Sequence, residues 1–167
     1  MKAQISFVEY LVAFLIFITF IGYFSIQILK FVPEYLNQIR SERIRSEAYQ
    51  ISEILINDPG FPANWDTNPI NVQRLGFSDE TKNITNFLSI DKLRLFGGGC
   101  PGPGYNTVKE LIASDFDFSI MFIEKSPTET VWVNCHPEAI IRSPINTTVR
   151  RIFYFDSGYG ELIVQMW

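Results

Sequence analysis

The chain has 167 residues, which leave room for one soluble domain once a membrane segment is set aside. Its formal net charge is −4, and the acidic excess lies after residue 57, because residues 1–57 hold five basic and five acidic side chains. A mildly acidic head gives no electrostatic footprint for nucleic acid, which would need a basic patch or stripe, so we expect no nucleic-acid partner.

The first predicted element is an apolar helix close to the N-terminus. Residues Tyr10–Leu29 carry no formal charge, and a helix of about 20 residues matches a hydrocarbon core of about 30 Å. A secretory signal peptide has a shorter apolar core and a small-x-small cleavage site, and no such site follows Leu29. The sequence therefore predicts a membrane-spanning helix that is retained.

The residues before this helix form a short motif. Lys2-Ala3 is followed by Gln4-x-Ser6 and then Glu9, and this order resembles the class III signal peptide of archaeal type IV pilin-like proteins. The resemblance implies that a prepilin peptidase removes residues 1–3 by cutting between Ala3 and Gln4. It also implies membrane lipid, other pilin-like subunits and a pilus assembly platform as partners, with no cofactor.

Glu9 has two interpretations. In the family, an acidic residue pairs with the N-terminal amine of a neighbouring subunit, usually from the fifth mature position, and Glu9 would occupy the sixth. The alternative is an interfacial carboxylate that reaches the membrane edge. Aromatic side chains of the span offer an interlocking surface for assembly: Phe14, Phe17, Phe20, Tyr23 and Phe24.

Two signals disagree about orientation. Lys30, Arg40, Arg43 and Arg45 follow the span, and the positive-inside bias would keep such residues in the cytoplasm. Two glycosylation sequons, at Asn83 and Asn146, and two cysteines favour an extracellular C-terminal domain. The resemblance implies the same topology, so we expect the C-terminal domain outside the cell.

Helical periodicity continues beyond the span. Apolar residues recur every three to five positions, at Val32, Tyr35, Leu36, Ile39, Ile44, Ala48, Ile51, Ile54 and Leu55. Pro33 lacks an amide hydrogen and should bend the helix, and Asp58-Pro59-Gly60 should end it. We predict one bent helix from about Gln4 to Ile56. The alternative is a membrane anchor followed by a separate juxtamembrane helix.

The loop Asp58–Trp65 contains two prolines and two large aromatic residues, Phe61 and Trp65. We expect a lid over the end of the core rather than an exposed binding finger, because large apolar side chains are usually covered. Its Pro-Gly-x-Pro-x-x-Trp order also resembles the pilin-like family. Residues 72–77 then predict a short strand or turn, and residues 88–96 predict a helix that Ser89 could cap.

A glycine-rich stretch, residues 97–104, separates this helix from another predicted over residues 105–113. The Lys-Ser/Thr of a phosphate-binding loop is absent from it. We therefore expect a flexible surface loop held at Cys100.

The last third of the chain has the two-residue period of strands. Strands are predicted from Asp117 and over residues 130–135, 139–142, 148–155 and 162–167, in an antiparallel meander. Val131, Val133 and Cys135 should share one face. Because such a sheet cannot bury one face alone, it needs the amphipathic half of the long helix as cover. The predicted fold class is α+β, a long bent N-terminal helix packed against a small antiparallel sheet.

No enzyme site is predicted. Cys135 and His136 are adjacent, so a strand would direct them to opposite faces, and a zinc site needs three or four suitably spaced ligands. Asp115 and Asp117 fit a solvated edge, with a calcium site as the alternative. Cys100 and Cys135 would form a disulfide outside the cell, or two small core hydrophobes in a reducing compartment.

The predicted organisation is a cleaved leader over residues 1–3, a transmembrane and spine helix over 4–57 and an extracellular head over 58–167. The resemblance implies a structural subunit, minor or accessory, of an archaeal type IV pilus-like filament. The alternative is a signal-anchored, single-pass surface protein whose head binds a ligand or partner.

Overall fold

The structure is a computed structural model that describes residues 2–82, 84–100, 103–125, 129–139, 143 and 145–167. It divides into two compact units, Met1–Arg40 and Ser41–Trp167. The helices are α1 (Lys2–Asn57), α2 (Ile90–Gly99) and α3 (Pro103–Ile112). The strands are β1 (Phe118–Glu124), β2 (Thr130–Cys135), β3 (Thr147–Phe155) and β4 (Gly158–Met166). The fold is α+β, as predicted.

Helix α1 is continuous and contains Pro33. It ends at Asn57, where the Asp58 amide still donates to the Ile54 carbonyl and the following Pro59 has no amide to donate. In the first unit the helix is apolar, exposed, and long enough to cross a membrane. The prediction that the helix continues through Pro33 to the end of this segment is therefore confirmed.

In the second unit, the last part of α1 supplies one wall of the core. Its buried residues Ile44, Ala48, Ile51 and Leu55 are each at most 6% exposed and lie three or four positions apart, so they share one helical face. These residues belong to the same apolar core as Ile120, Phe122 and other inward-facing residues of the sheet. The helix thus covers the sheet, as the amphipathic pattern predicted.

The sheet has the order β2-β1-β4-β3 with every neighbouring pair antiparallel. The predicted meander is therefore wrong: β1 and β4 form the centre, and the chain passes from β2 at one edge to β3 at the other. Sequence periodicity specifies which residues alternate, but it does not specify which strands pair. Of the predicted strand over residues 139–142, Ala139 is not in a strand, and the others lie outside the described residues.

A β-bulge changes the faces of β2. Phe122 pairs with Val133 but Ile123 pairs with Val131, so Trp132 has no partner on β1. Val133 and Cys135 are buried while Val131 is 54% exposed. The prediction that Val131 shares their face is wrong, because the extra residue reverses the alternation at the start of the strand.

The glycine-rich stretch is more regular than predicted, since residues 97–99 are the last turn of α2 and Pro103-Gly104 begin α3. Ser89 caps α2, and its side chain accepts from the Lys92 amide at 3.5 Å. Residues 72–77 contain no strand; Arg74 forms an isolated bridge with Phe61, after a 3-10 turn at Pro69–Asn71.

The two aromatic residues of the loop after α1 differ in burial: Trp65 is buried in the core and Phe61 is exposed. Trp65 is 3% exposed, and its indole nitrogen donates to the Gly76 carbonyl at 2.9 Å, while its ring meets Phe77 edge-on at 5.8 Å. Phe61 is 54% exposed and covers little. The lid interpretation is confirmed for Trp65 only. Gly60, with φ of 86°, leaves room for its indole, because a Cβ there would come within 2.7 Å of the ring.

Candidate functional site

The largest exposed apolar surface among the described residues is the part of α1 in the first unit. The aromatic residues singled out from the sequence are all exposed there: Phe14 at 52%, Phe17 at 59%, Phe20 at 62%, Tyr23 at 61% and Phe24 at 56%. Phe20 and Phe24 lie one turn apart, with ring centroids 5.9 Å apart. The Thr19 hydroxyl donates a hydrogen bond to the Leu15 carbonyl at 2.7 Å, so this polar group is satisfied within the helix. A patch of this kind marks a membrane or protein contact surface.

The predicted processing and assembly residues lie at the start of this helix. Ala3 and Gln4 are within the first helical residues of α1. Glu9 is exposed, and no ion pair joins it to any described side chain from Phe7 onward. A carboxylate in this position requires either an aqueous boundary or a cationic partner.

Polar contacts hold the end of α1 against the head. The guanidinium of Arg151 on β3 lies 2.5 Å from the Glu53 carboxylate and 4.4 Å from the centroid of the Tyr49 ring, and its Nε donates to Ser52 at 3.2 Å. These contacts join the helix to an edge strand of the sheet at the surface of the head. No sequence pattern indicated them, because the two elements are about 100 residues apart.

The two cysteines form a disulfide. Cys100 caps the C-terminus of α2 and Cys135 ends β2, with Cα atoms 5.1 Å apart. Both residues are buried in the head core. The predicted pairing is therefore present, and Cys135 has no thiol that could act with His136. The imidazole of His136 instead lies 2.8 Å from the Pro137 carbonyl through Nδ1.

One predicted sequon can be placed. Asn146 is exposed immediately before β3, so its side chain is accessible to a glycosyltransferase. Asn83 lies outside the described residues.

The two acidic residues considered for calcium have separate protein partners. Asp115 pairs with Arg43 at 2.6 Å. Asp117 pairs with Lys109 at 2.6 Å and accepts from the Tyr105 hydroxyl at 3.3 Å. Within the described part of the chain, no three histidine, cysteine or acidic side chains come together as metal ligands.

Two buried ionisable groups were not anticipated. Burial raises the pKa of Tyr105 to about 12, and its hydroxyl accepts from the Phe118 amide at 3.0 Å. The ammonium of Lys92 donates to the carbonyls of Pro59 at 2.7 Å and Ser78 at 3.2 Å, and desolvation lowers its pKa. Tyr105 thus joins α3 to the start of β1, and Lys92 joins α2 to the segments around Pro59 and Ser78.

A cleft in the head was also not predicted. It is lined by Arg94, Glu124, Thr130 and Trp132. Alternation along β2 placed Trp132 on the face opposite Val133. The pairing of β1 with β2 shows that Trp132 is instead the extra residue of a β-bulge, where this alternation breaks. The only signal for this cleft in the sequence is a tryptophan in a short predicted strand. That pattern is too common to identify a site.

Comparison with protein-family models, curated proteins and solved structures gives no match for this chain.

Proposed function

We propose that the chain is a structural pilin-like subunit, minor or accessory, of an archaeal type IV pilus-like surface filament. The observation that carries this proposal is the exposed apolar segment of α1, where residues such as Phe17 and Phe20 are more than half exposed. Lipid would cover this surface before assembly, and the helices of sibling subunits would cover it afterwards.

Helix packing explains why aromatic side chains would serve in assembly. Inside a bilayer, lipid tails are as apolar as the side chains of the helix. Helix association is therefore favoured by close packing between the helices rather than by the hydrophobic effect. The exposed side chains of Phe14, Phe17, Phe20 and Phe24 lie three or four positions apart, so their rings share one face of the helix. A continuous aromatic face suits close packing against the helix of a neighbouring subunit.

Glu9 would gain its partner only in the assembled state. Cleavage between Ala3 and Gln4 by a prepilin peptidase would create a new N-terminal ammonium, and the same group on a neighbouring subunit could pair with the exposed Glu9 carboxylate. Pairing removes much of the cost of a carboxylate in an apolar environment. A pilus assembly platform would then extract the subunit from the membrane.

The mature N-terminus tests the proposal. We expect peptide mass spectrometry of the protein from native membranes to find Gln4 as the first residue. The matched variant Ala3→Trp should block processing, because a large side chain would not fit where the peptidase accepts a small one. An intact Met1-Lys2-Ala3 terminus in the native protein would contradict the proposal.

The same exposed helix also suits a second function, a signal-anchored surface protein whose head binds a ligand or partner. A solitary anchor needs an apolar surface but no cleavage and no partner for Glu9. Electron microscopy of cell-surface filaments after immunogold labelling of the head separates the two, since a solitary anchor would label the cell envelope alone.

A further inference from the structure

The cleft in the head has the size and composition of a ligand site. It is an open surface depression of about 380 Å³, lined by Arg94 of α2, Glu124 of β1, and Thr130 and Trp132 of β2, and this volume is within the range of small-molecule sites. All four residues belong to the second unit. Ligand binding there would not depend on assembly through the N-terminal helix.

The β-bulge presents Trp132 to this cleft. Because Trp132 has no partner on β1, its side chain is released from the regular alternation of the strand. The indole nitrogen donates to Glu124 Oε2 at 2.8 Å, and the ring packs on Phe155 with centroids 5.3 Å apart. The indole is half-buried, so it is held in one orientation while part of it remains accessible.

The walls of the cleft are held rigidly together. Helix α2 lies so close to β2 that a Cβ on Gly97 would come within 3.0 Å of the Trp132 carbonyl oxygen. Just beyond, the Cys100–Cys135 disulfide joins the end of the helix to the end of the strand. The backbones of α2 and β2 are therefore fixed beside the cleft, so ligand binding would incur little cost for ordering the backbone.

The polar groups of the cleft include both a donor and an acceptor. The Arg94 side chain is 72% exposed, and its ion pair with Asp91 is long, at 4.0 Å. Glu124 uses Oε2 for the indole, and its Oε1 accepts no hydrogen bond from the residues that the structure describes. The guanidinium only donates hydrogen bonds and the carboxylate only accepts them, and both line the same cleft as the Trp132 indole.

We propose that this cleft binds a neutral saccharide. A pyranose ring has a face of C–H groups, which suits the electron-rich face of an indole, and a rim of hydroxyls, each of which can donate to Glu124 or accept from Arg94. The charges of Arg94 and Glu124 balance, so the residues that line the cleft carry no net charge that would favour a phosphate or a uronic acid. An aromatic ligand would leave the donor and acceptor unused.

Binding is tested with the full chain in lipid nanodiscs, since alkyl glycoside detergents carry sugar headgroups that would compete. The probes are four neutral trisaccharides, namely cellotriose, maltotriose, mannotriose and triacetylchitotriose, and one anionic one, trigalacturonate. We expect at least one neutral trisaccharide to bind with a Kd of about 1 mM or tighter in calorimetry. Trp132→Ala, Glu124→Gln and Arg94→Ala should each weaken that binding about tenfold or more.

The matched control is Tyr159→Ala, which removes a 50% exposed aromatic residue that does not line the cleft and should leave the Kd unchanged. Arg94 is well exposed, so its variant keeps the test valid if the tryptophan variant misfolds, as judged by near-ultraviolet circular dichroism. The proposal is overturned if no neutral trisaccharide binds at about 10 mM, if trigalacturonate binds more tightly than all four, or if the cleft variants bind as the wild type does.

Discussion

Tyr105 shows how one buried polar side chain stabilises the head. It is 4% exposed on α3, where its hydroxyl donates to the Asp117 carboxylate at 3.3 Å and accepts from the Phe118 amide at 3.0 Å. The ring also packs on Phe118 with centroids 5.1 Å apart. This residue therefore joins a surface helix to the first strand at the point where β1 begins.

Removing that hydroxyl should destabilise the head. In Tyr105→Phe the Phe118 amide is left buried without an acceptor, so we expect the free energy of unfolding to fall by about 1–3 kcal/mol. Urea unfolding of the full chain in nanodiscs, followed by tryptophan fluorescence, measures this change. Tyr159→Phe removes a hydroxyl from a 50% exposed residue and should stay within about 0.5 kcal/mol of the wild type. Equal losses in the two variants would contradict the assignment.

The same residue predicts a dependence on alkaline pH. Burial raises the pKa of Tyr105 from 10.0 to about 12, so between these values the unfolded chain has lost a proton that the folded chain keeps. Its contribution to stability is therefore complete below pH 10 and is lost as the pH rises towards 12. We expect the free energy of unfolding to fall more steeply with pH in the wild type than in Tyr105→Phe over this interval. If the free energy of unfolding fell equally with pH in the wild type and in Tyr105→Phe, folding would not raise the pKa of Tyr105.

At the scale of elements, α2 and β2 are joined by two different means. Gly97 allows the helix backbone to approach the Trp132 carbonyl, and the disulfide joins residues that are 35 positions apart. The approach at Gly97 is possible because glycine has no side chain. The disulfide stabilises the head by reducing the conformational freedom of the unfolded chain. Together they position one wall of the cleft.

The disulfide predicts a measurable loss on reduction. Closing a loop of this length contributes about 2–4 kcal/mol, so we expect reductant to lower the denaturation midpoint of the native protein. The matched control is the double variant Cys100→Ala/Cys135→Ala, whose midpoint should already be low and should not respond to reductant. Alkylation and mass measurement of the native protein without reductant should find no labelled cysteine, and two labelled thiols would refute the bond.

At the scale of the whole molecule, orientation across the membrane is the central question. Among the residues that the structure describes, one helix is apolar enough to cross a membrane, and the basic residues after it favour a cytoplasmic head by the positive-inside bias. The disulfide and the exposed Asn146 favour the opposite side. We propose the extracellular orientation, because a disulfide buried in the head core is a feature of oxidising compartments.

A reporter fused after Trp167 should therefore read extracellular. Alkaline phosphatase activity, which requires export, is expected from this fusion, while a fusion of the same reporter to the N-terminus should be inactive. The reverse pattern, with activity only at the N-terminus, would place the head in the cytoplasm and remove the basis for a surface filament.

Periodicity and composition alone determined the helices and the fold class. Local signals were sufficient for the apolar span, for the end of α1 before Pro59-Gly60 and for the Ser89 cap of α2, since each depends on residues within a few positions of one another. The need to cover a half-apolar sheet with an amphipathic helix also follows from the sequence.

Tertiary structure alone decided strand order, the bulge at Trp132 and the burial of Lys92 and Tyr105. Each is fixed by partners distant in the chain: β4 inserts between β1 and β3, and Lys92 finds its acceptors at Pro59 and Ser78. Alternative strand orders differ in contacts between residues that are far apart in the chain. Short stretches of sequence therefore do not show which order is the most stable. For the same reason the candidate saccharide cleft was invisible in the sequence, because it exists only where α2, β1 and β2 meet.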